Sequence, residues 1–139
     1  MKHAVFPGRY ENLEKICDLV TDQAIQAGFD DTAVYAIQTA VDEACSNIIE
    51  HAYGGENRGD IDVSIDTENQ CITVRLVDHG KPFDPNNIPE PDINGSLRQR
   101  EAHGLGLYFM HKLMDDVCFE FSENRGNVVT MVKCQHRRI

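Results

Sequence analysis

Apolar positions along this chain change their period twice, and the changes mark out its elements. From Tyr10 onward, Leu13, Ile16, Val20, Ala24 and Ala27 recur every three or four residues, which predicts a helix that Gly28 can end. "DDT" at 30–32 offers N-caps for a second helix with the stripe Val34, Ile37, Val41, Ala44, Ile48 and Ala52. That helix is expected to stop near Gly54-Gly55. The period then drops to two. "DIDVSID" sets Ile61, Val63 and Ile65 on one face, and "CITVRLV" does the same with Ile72, Val74 and Leu76. The polar "TENQ" between them reads as a hairpin loop. A third helix is expected from about Leu105 through "LGLYFMHKLMDD". Two strands follow, "VCFEFS" and "NVVTMVKC", joined by "ENRG", where Gly126 suits a turn of positive φ. A short extended piece, "HAVFP", precedes the first helix.

Strands that arrive in hairpins, rather than alternating singly with helices, predict an α+β fold with a mostly antiparallel sheet. Two layers are expected, with the helices on one face of the sheet. The 139 residues give room for one domain, 1–139, without internal repeats or a linker. Residues 84–104 stand apart. They hold three of the five prolines and three asparagines and have no usable period, which is the composition of a lid or binding loop.

Composition narrows the function classes. Apolar content of 41% predicts a folded chain, and a net charge of −10 argues against nonspecific nucleic-acid binding. No apolar run approaches membrane-spanning length and the N-terminus has no signal-like apolar core, so neither membrane nor secretion is expected, and the cytoplasm is. The cysteines at 17, 45, 71, 118 and 134 are odd in number and contain no C-x-x-C pair. They read as reduced thiols, with no disulfide framework and no zinc site expected.

Polar residues interrupt the apolar pattern at three places. In "EACSNIIEHAY", Glu43 and Asn47 lie one helical turn apart at the edge of the second helix's stripe. From spacing alone two readings stay open, a wet helix flank or a site for a hard cation or a water. "LVDHGKPFDP" ends an apolar strand on Asp78 and turns at Gly80, so that carboxylate either stabilises the turn or receives a ligand. "EAHGLGLYF" puts Gly104 and Gly106 at the mouth of the third helix, where bare N–H groups meet phosphates. Phe109 stands where a dinucleotide-binding fingerprint has its third glycine, and no P-loop pattern occurs.

In this order the three motifs resemble those of the GHKL-type (Bergerat-fold) ATPases, shared by gyrase-type, histidine-kinase-type and MutL-type proteins. "EACSNIIEHAY" looks like the N box, "DHGKPFD" like the first glycine box and "HGLGLYF" like the second. Within them the chain is similar over nearly its whole length to the small serine/threonine kinases that act as bacterial anti-sigma factors. The resemblance implies the histidine-kinase-type two-layer fold, with ATP and Mg²⁺ as cofactors. Asn47 would hold the Mg²⁺ that bridges the phosphates, and Glu43 would be the general base. Asp78 would accept from the adenine amino group, with Gly80 letting the base approach. Gly104 and Gly106 would give backbone contacts to the phosphates, and His51 a phosphate-side contact. Arg98 or Arg100, on the lid, would neutralise the terminal phosphate. The implied partners are a small anti-sigma factor antagonist, phosphorylated on serine or threonine, and a sigma factor or other regulator. A homodimer is implied too.

Two positions depart from the family pattern. Pro82 replaces the second glycine of the first box. Asn127 and Val128 follow Gly126 where a threonine commonly helps hold adenine, so the resemblance leaves that contact unassigned. The alternative function is a nucleotide-responsive binding module of the same fold without phosphoryl transfer.

Overall fold

The alternating runs at 61–65 and 72–76 form the middle of a five-stranded sheet in the computed structural model. It describes residues 1–82 and 103–135, the latter by backbone alone over 103–107. The strands are β1 (Lys2–Pro7), β2 (Asp60–Glu68), β3 (Cys71–Asp78), β4 (Asp116–Ser122) and β5 (Gly126–Cys134). Every pairing is antiparallel and the order is β1-β2-β3-β5-β4. The helices are α1 (Leu13–Gln26), α2 (Asp31–Asn47) and α3 (His103–Leu113). The fold is α+β, as the hairpin pattern predicts.

Local signals act at the expected places. Asp30 caps α2 by accepting from the Ala33 N–H at 2.8 Å. Gly28, with φ of +94°, ends α1 in a conformation that a side chain would strain. The β2–β3 loop is tighter than "TENQ" suggests, because Thr67 and Glu68 still pair with Ile72 and Cys71. Only Asn69 and Gln70 make the turn, both with positive φ, as a two-residue hairpin whose twist matches its strands requires.

The inward positions of β2 and β3, Ile61, Val63, Ile65, Ile72, Val74 and Leu76, are sealed against Ile16, Val20, Ile37 and Val41 of α1 and α2. Met110 and Met114 add the α3 contribution, and α3 packs along α2. Burying one such side chain contributes about 1.5–3 kcal/mol. This core holds the one-sided helix layer on the sheet.

Two expectations change. The second helix does not run straight to the glycines, because after Asn47 it widens into a π-helical turn over Ile48–Ala52. The thiol reading also needs correction. Cys17 and Cys45 are buried thiols and Cys118 is an exposed one, but Cys71 and Cys134 form a disulfide. The two are far apart in sequence yet directly paired across β3 and β5, with Cα atoms 4.0 Å apart. Spacing rules search for near neighbours and cannot see such a pair.

Candidate functional site

Asp78 continues the inward series Ile72, Val74 and Leu76, so the strand's own alternation drives a carboxylate into the core, where it is 3% exposed. A buried carboxylate needs donors. Its Oδ1 accepts from the Gly80 N–H at 2.9 Å and from the Asn127 side-chain amide at 2.8 Å. Burial pushes the Asp78 carboxyl above the usual range, while these two bonds and His79 pull it back.

Asn127 reaches Asp78 because β5 pairs with β3 in a register that sets the two opposite each other. Its Nδ2 also lies 3.2 Å from the carbonyls of Gly80 and of Lys81. Three oxygens surround that atom, which fixes it as the nitrogen of the amide. Gly126, with φ of +81°, lets this strand end close in, since a Cβ there would sit 2.4 Å from the Asp78 carbonyl.

The turn after Asp78 is locked onto the end of α2. Ala52 is the last residue of the π-helical turn, and its carbonyl accepts from the Lys81 N–H at 2.7 Å. Gly80 lies so near that a Cβ would meet the Ala52 oxygen at 2.4 Å. The Tyr53 hydroxyl donates to the Asp60 carbonyl at 2.6 Å and accepts from the His79 N–H at 3.0 Å. Gly59 leaves room for the Tyr53 ring. Tyr53, quoted at the end of the helix motif, thus ties α2 to both central strands.

Between these parts lies a cleft that opens to solvent. Ala44, Ile48, Met110, Phe119 and Val129 give it apolar walls, and Asn47, Asp78 and Asn127 give it polar groups. Glu43 sits half-buried one turn before Asn47. Burial first, then the charges of Asp42 and Glu50, raise its carboxyl above the usual range. Asn47 lines the cleft and carries an amide oxygen, a donor type that a hard cation accepts. Among the described residues no three His, Cys, Asp or Glu side chains gather to hold one.

The structure brings Asn47 and Asp78 to the cleft and sets Gly80 beside it. Helix α3 begins at His103, earlier than expected, so Gly104 and Gly106 fall in its first turn, where the N–H groups lack helical partners. Met110 of the same helix lines the cleft. His51 does not line it; its Nε2 lies 3.4 Å from Glu50 Oε2, and Glu50 Oε1 accepts from the Tyr10 hydroxyl at 3.1 Å. Arg98, Arg100 and the lid up to Ala102 lie outside the described residues. Asn127 is the site residue the motifs missed. Its signal was the missing threonine after Gly126.

No helix among the described residues is long and apolar enough to cross a membrane. The family model for a histidine kinase-like ATPase domain matches residues 6–133. A serine-protein kinase RsbW of Bacillus cereus is 30% identical over 131 residues, covering 91% of this chain and 80% of that protein. Its namesake from Listeria monocytogenes is 33% identical over 111 residues, covering 77% and 71%. Among solved structures, the nucleotide-free catalytic domain of the histidine kinase ThkA matches with a TM-score of 0.57. It does so at 18% identity and covers 96% of each chain, a likeness of fold. Motifs, cleft and relatives agree: the chain belongs to the histidine kinase-like ATPase family and groups there with the RsbW-type serine-protein kinases.

Proposed function

We propose that this protein is an ATP-dependent serine/threonine kinase of the anti-sigma type. It transfers the terminal phosphoryl group of ATP to a small antagonist protein and, when free of that partner, holds a sigma factor. The observation that carries the reading is the buried Asp78 carboxylate in the same cleft as Asn47, with relatives that bear the name serine-protein kinase.

Phosphoryl transfer asks mainly for positioning and charge compensation. Asp78 receives the adenine amino group, and the apolar walls around Met110 and Val129 take the base. Asn47 would hold Mg²⁺, which would supply charge compensation for the nucleotide phosphates. The first turn of α3, with Gly104 and Gly106, offers N–H groups to the phosphates, helped by Arg98 or Arg100. In this way a chain of charge −10 accepts an anion. Glu43 takes the proton of the attacking hydroxyl, and its raised carboxyl makes it a stronger base than an ordinary glutamate. A homodimer and a cytoplasmic site of action complete the reading, to be checked by sedimentation and by fractionation.

Calorimetry should record Mg²⁺-dependent ATP binding, and radiolabelled ATP should mark a serine or threonine of the antagonist. Glu43→Ala should lower the transfer rate by about 10²–10⁴-fold with ATP affinity nearly kept, whereas Asn47→Ala should lose Mg²⁺-dependent binding. The wild-type rate should fall on the acid side at a pH above the ordinary glutamate range, because the base works only when ionised. Nucleotide binding without any labelled partner would favour the switch without transfer.

A further inference from the structure

Asn127 does more than brace Asp78. Its Nδ2 is consumed by Asp78 Oδ1 and the Gly80 and Lys81 carbonyls, which fixes the amide plane. Both residues line the cleft and both are more than nine-tenths buried, Asp78 at 3% and Asn127 at 8% exposure. Asp78 Oδ1 already accepts two hydrogen bonds. Among the described residues, nothing donates to Asp78 Oδ2 or to Asn127 Oδ1. Two polar acceptors on hydrogen-bonded residues are thus left to an otherwise apolar cleft.

We propose that Asn127 is a specificity-determining residue whose Oδ1 takes the second N–H of the base's exocyclic amino group, the first going to Asp78 Oδ2. The inference rests on the reading of this cleft as an ATP site. A 6-amino purine offers two N–H donors to two acceptors. A 6-oxo purine instead presents an oxygen to both acceptors and is rejected. The selectivity is thereby set by a pair, one residue at the end of each of two adjacent strands.

The test compares Mg²⁺-dependent binding of ATP, purine riboside triphosphate (no 6-amino group) and N6-methyl-ATP. Wild type should prefer ATP over the deamino nucleotide by roughly 100-fold, and Asn127→Ala should reduce that preference to roughly 10-fold. N6-methyl-ATP should bind wild type poorly, because both N–H positions face acceptors. Asn127→Ala should relieve that penalty by vacating one of them, an effect that a bracing role alone would not produce. Asn127→Thr, which keeps a smaller acceptor, should fall between the two and serves if the alanine variant does not fold. Equal weakening of all three nucleotides in the variants, with their ratios unchanged, would overturn the inference while leaving the ATP site intact. Absence of any nucleotide binding by wild type would overturn both.

Discussion

Asp78 carries opposing demands on stability and binding. Burial raises its folded-state carboxyl, so the folded protein holds that proton more tightly than the unfolded chain. The ionised group therefore costs stability at neutral pH, and the cost fades as pH falls through the raised value. Asp78→Asn retains an oxygen for Gly80 and Asn127 and removes the buried charge. Its Tm at pH 7 should equal or exceed wild type, with the gain shrinking toward pH 4. ATP binding should nonetheless fall by more than about 100-fold, since an amide N–H would then face the amino donor. Thermal melts at the two pH values and calorimetry check this; a lower Tm at pH 7 would place Asp78 among ordinary stabilising residues.

The decisive element is the π-helical turn after Asn47. Ala52 ends that turn, so its carbonyl has no helical partner and is taken up by the Lys81 N–H. Gly80 and Ala52 thereby bring the end of β3 against the helix that carries Asn47. Gly80→Ala should destabilise the fold by about 2 kcal/mol through forced separation of these backbones. It should also weaken ATP binding, because Asp78 moves with the turn. A denaturant melt of the variant with an unchanged midpoint would contradict the close packing. Helix α3 is held from its other end, where Lys133 Nζ donates to the Leu113 carbonyl at 2.7 Å.

At the scale of the molecule, one strand pairing sets two distant features. The register that puts Asp78 opposite Asn127 also puts Cys71 opposite Cys134, seven residues or about 23 Å away along β3. A slip of one residue would undo both. The disulfide spans a sequence separation of 63 and closes a loop that contains α3 and β4. On the chain-entropy account such closure stabilises by about 4 kcal/mol. Adding a reductant, or replacing both cysteines by serine, should lower Tm by roughly 10–15 °C while ATP affinity changes little. Oxidised and reduced protein melting together would refute the loop-closure account. In a reducing cytoplasm the pair would rest as two thiols, so the stabilised form belongs to oxidising conditions.

The hydrophobic period by itself determined the three helices, the two hairpins and the inward faces of β2 and β3, because burial acts on local alternation. Gly28, Asp30 and Gly126 were legible for a related reason, since caps and turns depend on a few adjacent residues. The motifs around Asn47, Asp78 and Gly104 likewise announced the family. Tertiary structure alone decided that β5 enters between β3 and β4. That insertion, invisible in any local pattern, made Asn127 the partner of Asp78 and Cys134 the partner of Cys71. It also decided that α2 opens into a π-helical turn, which the apolar stripe through Ile48 and Ala52 does not distinguish from a continued α-helix. Pairings between residues far apart in the chain depend on how whole elements pack, and no period of two or 3.6 encodes that.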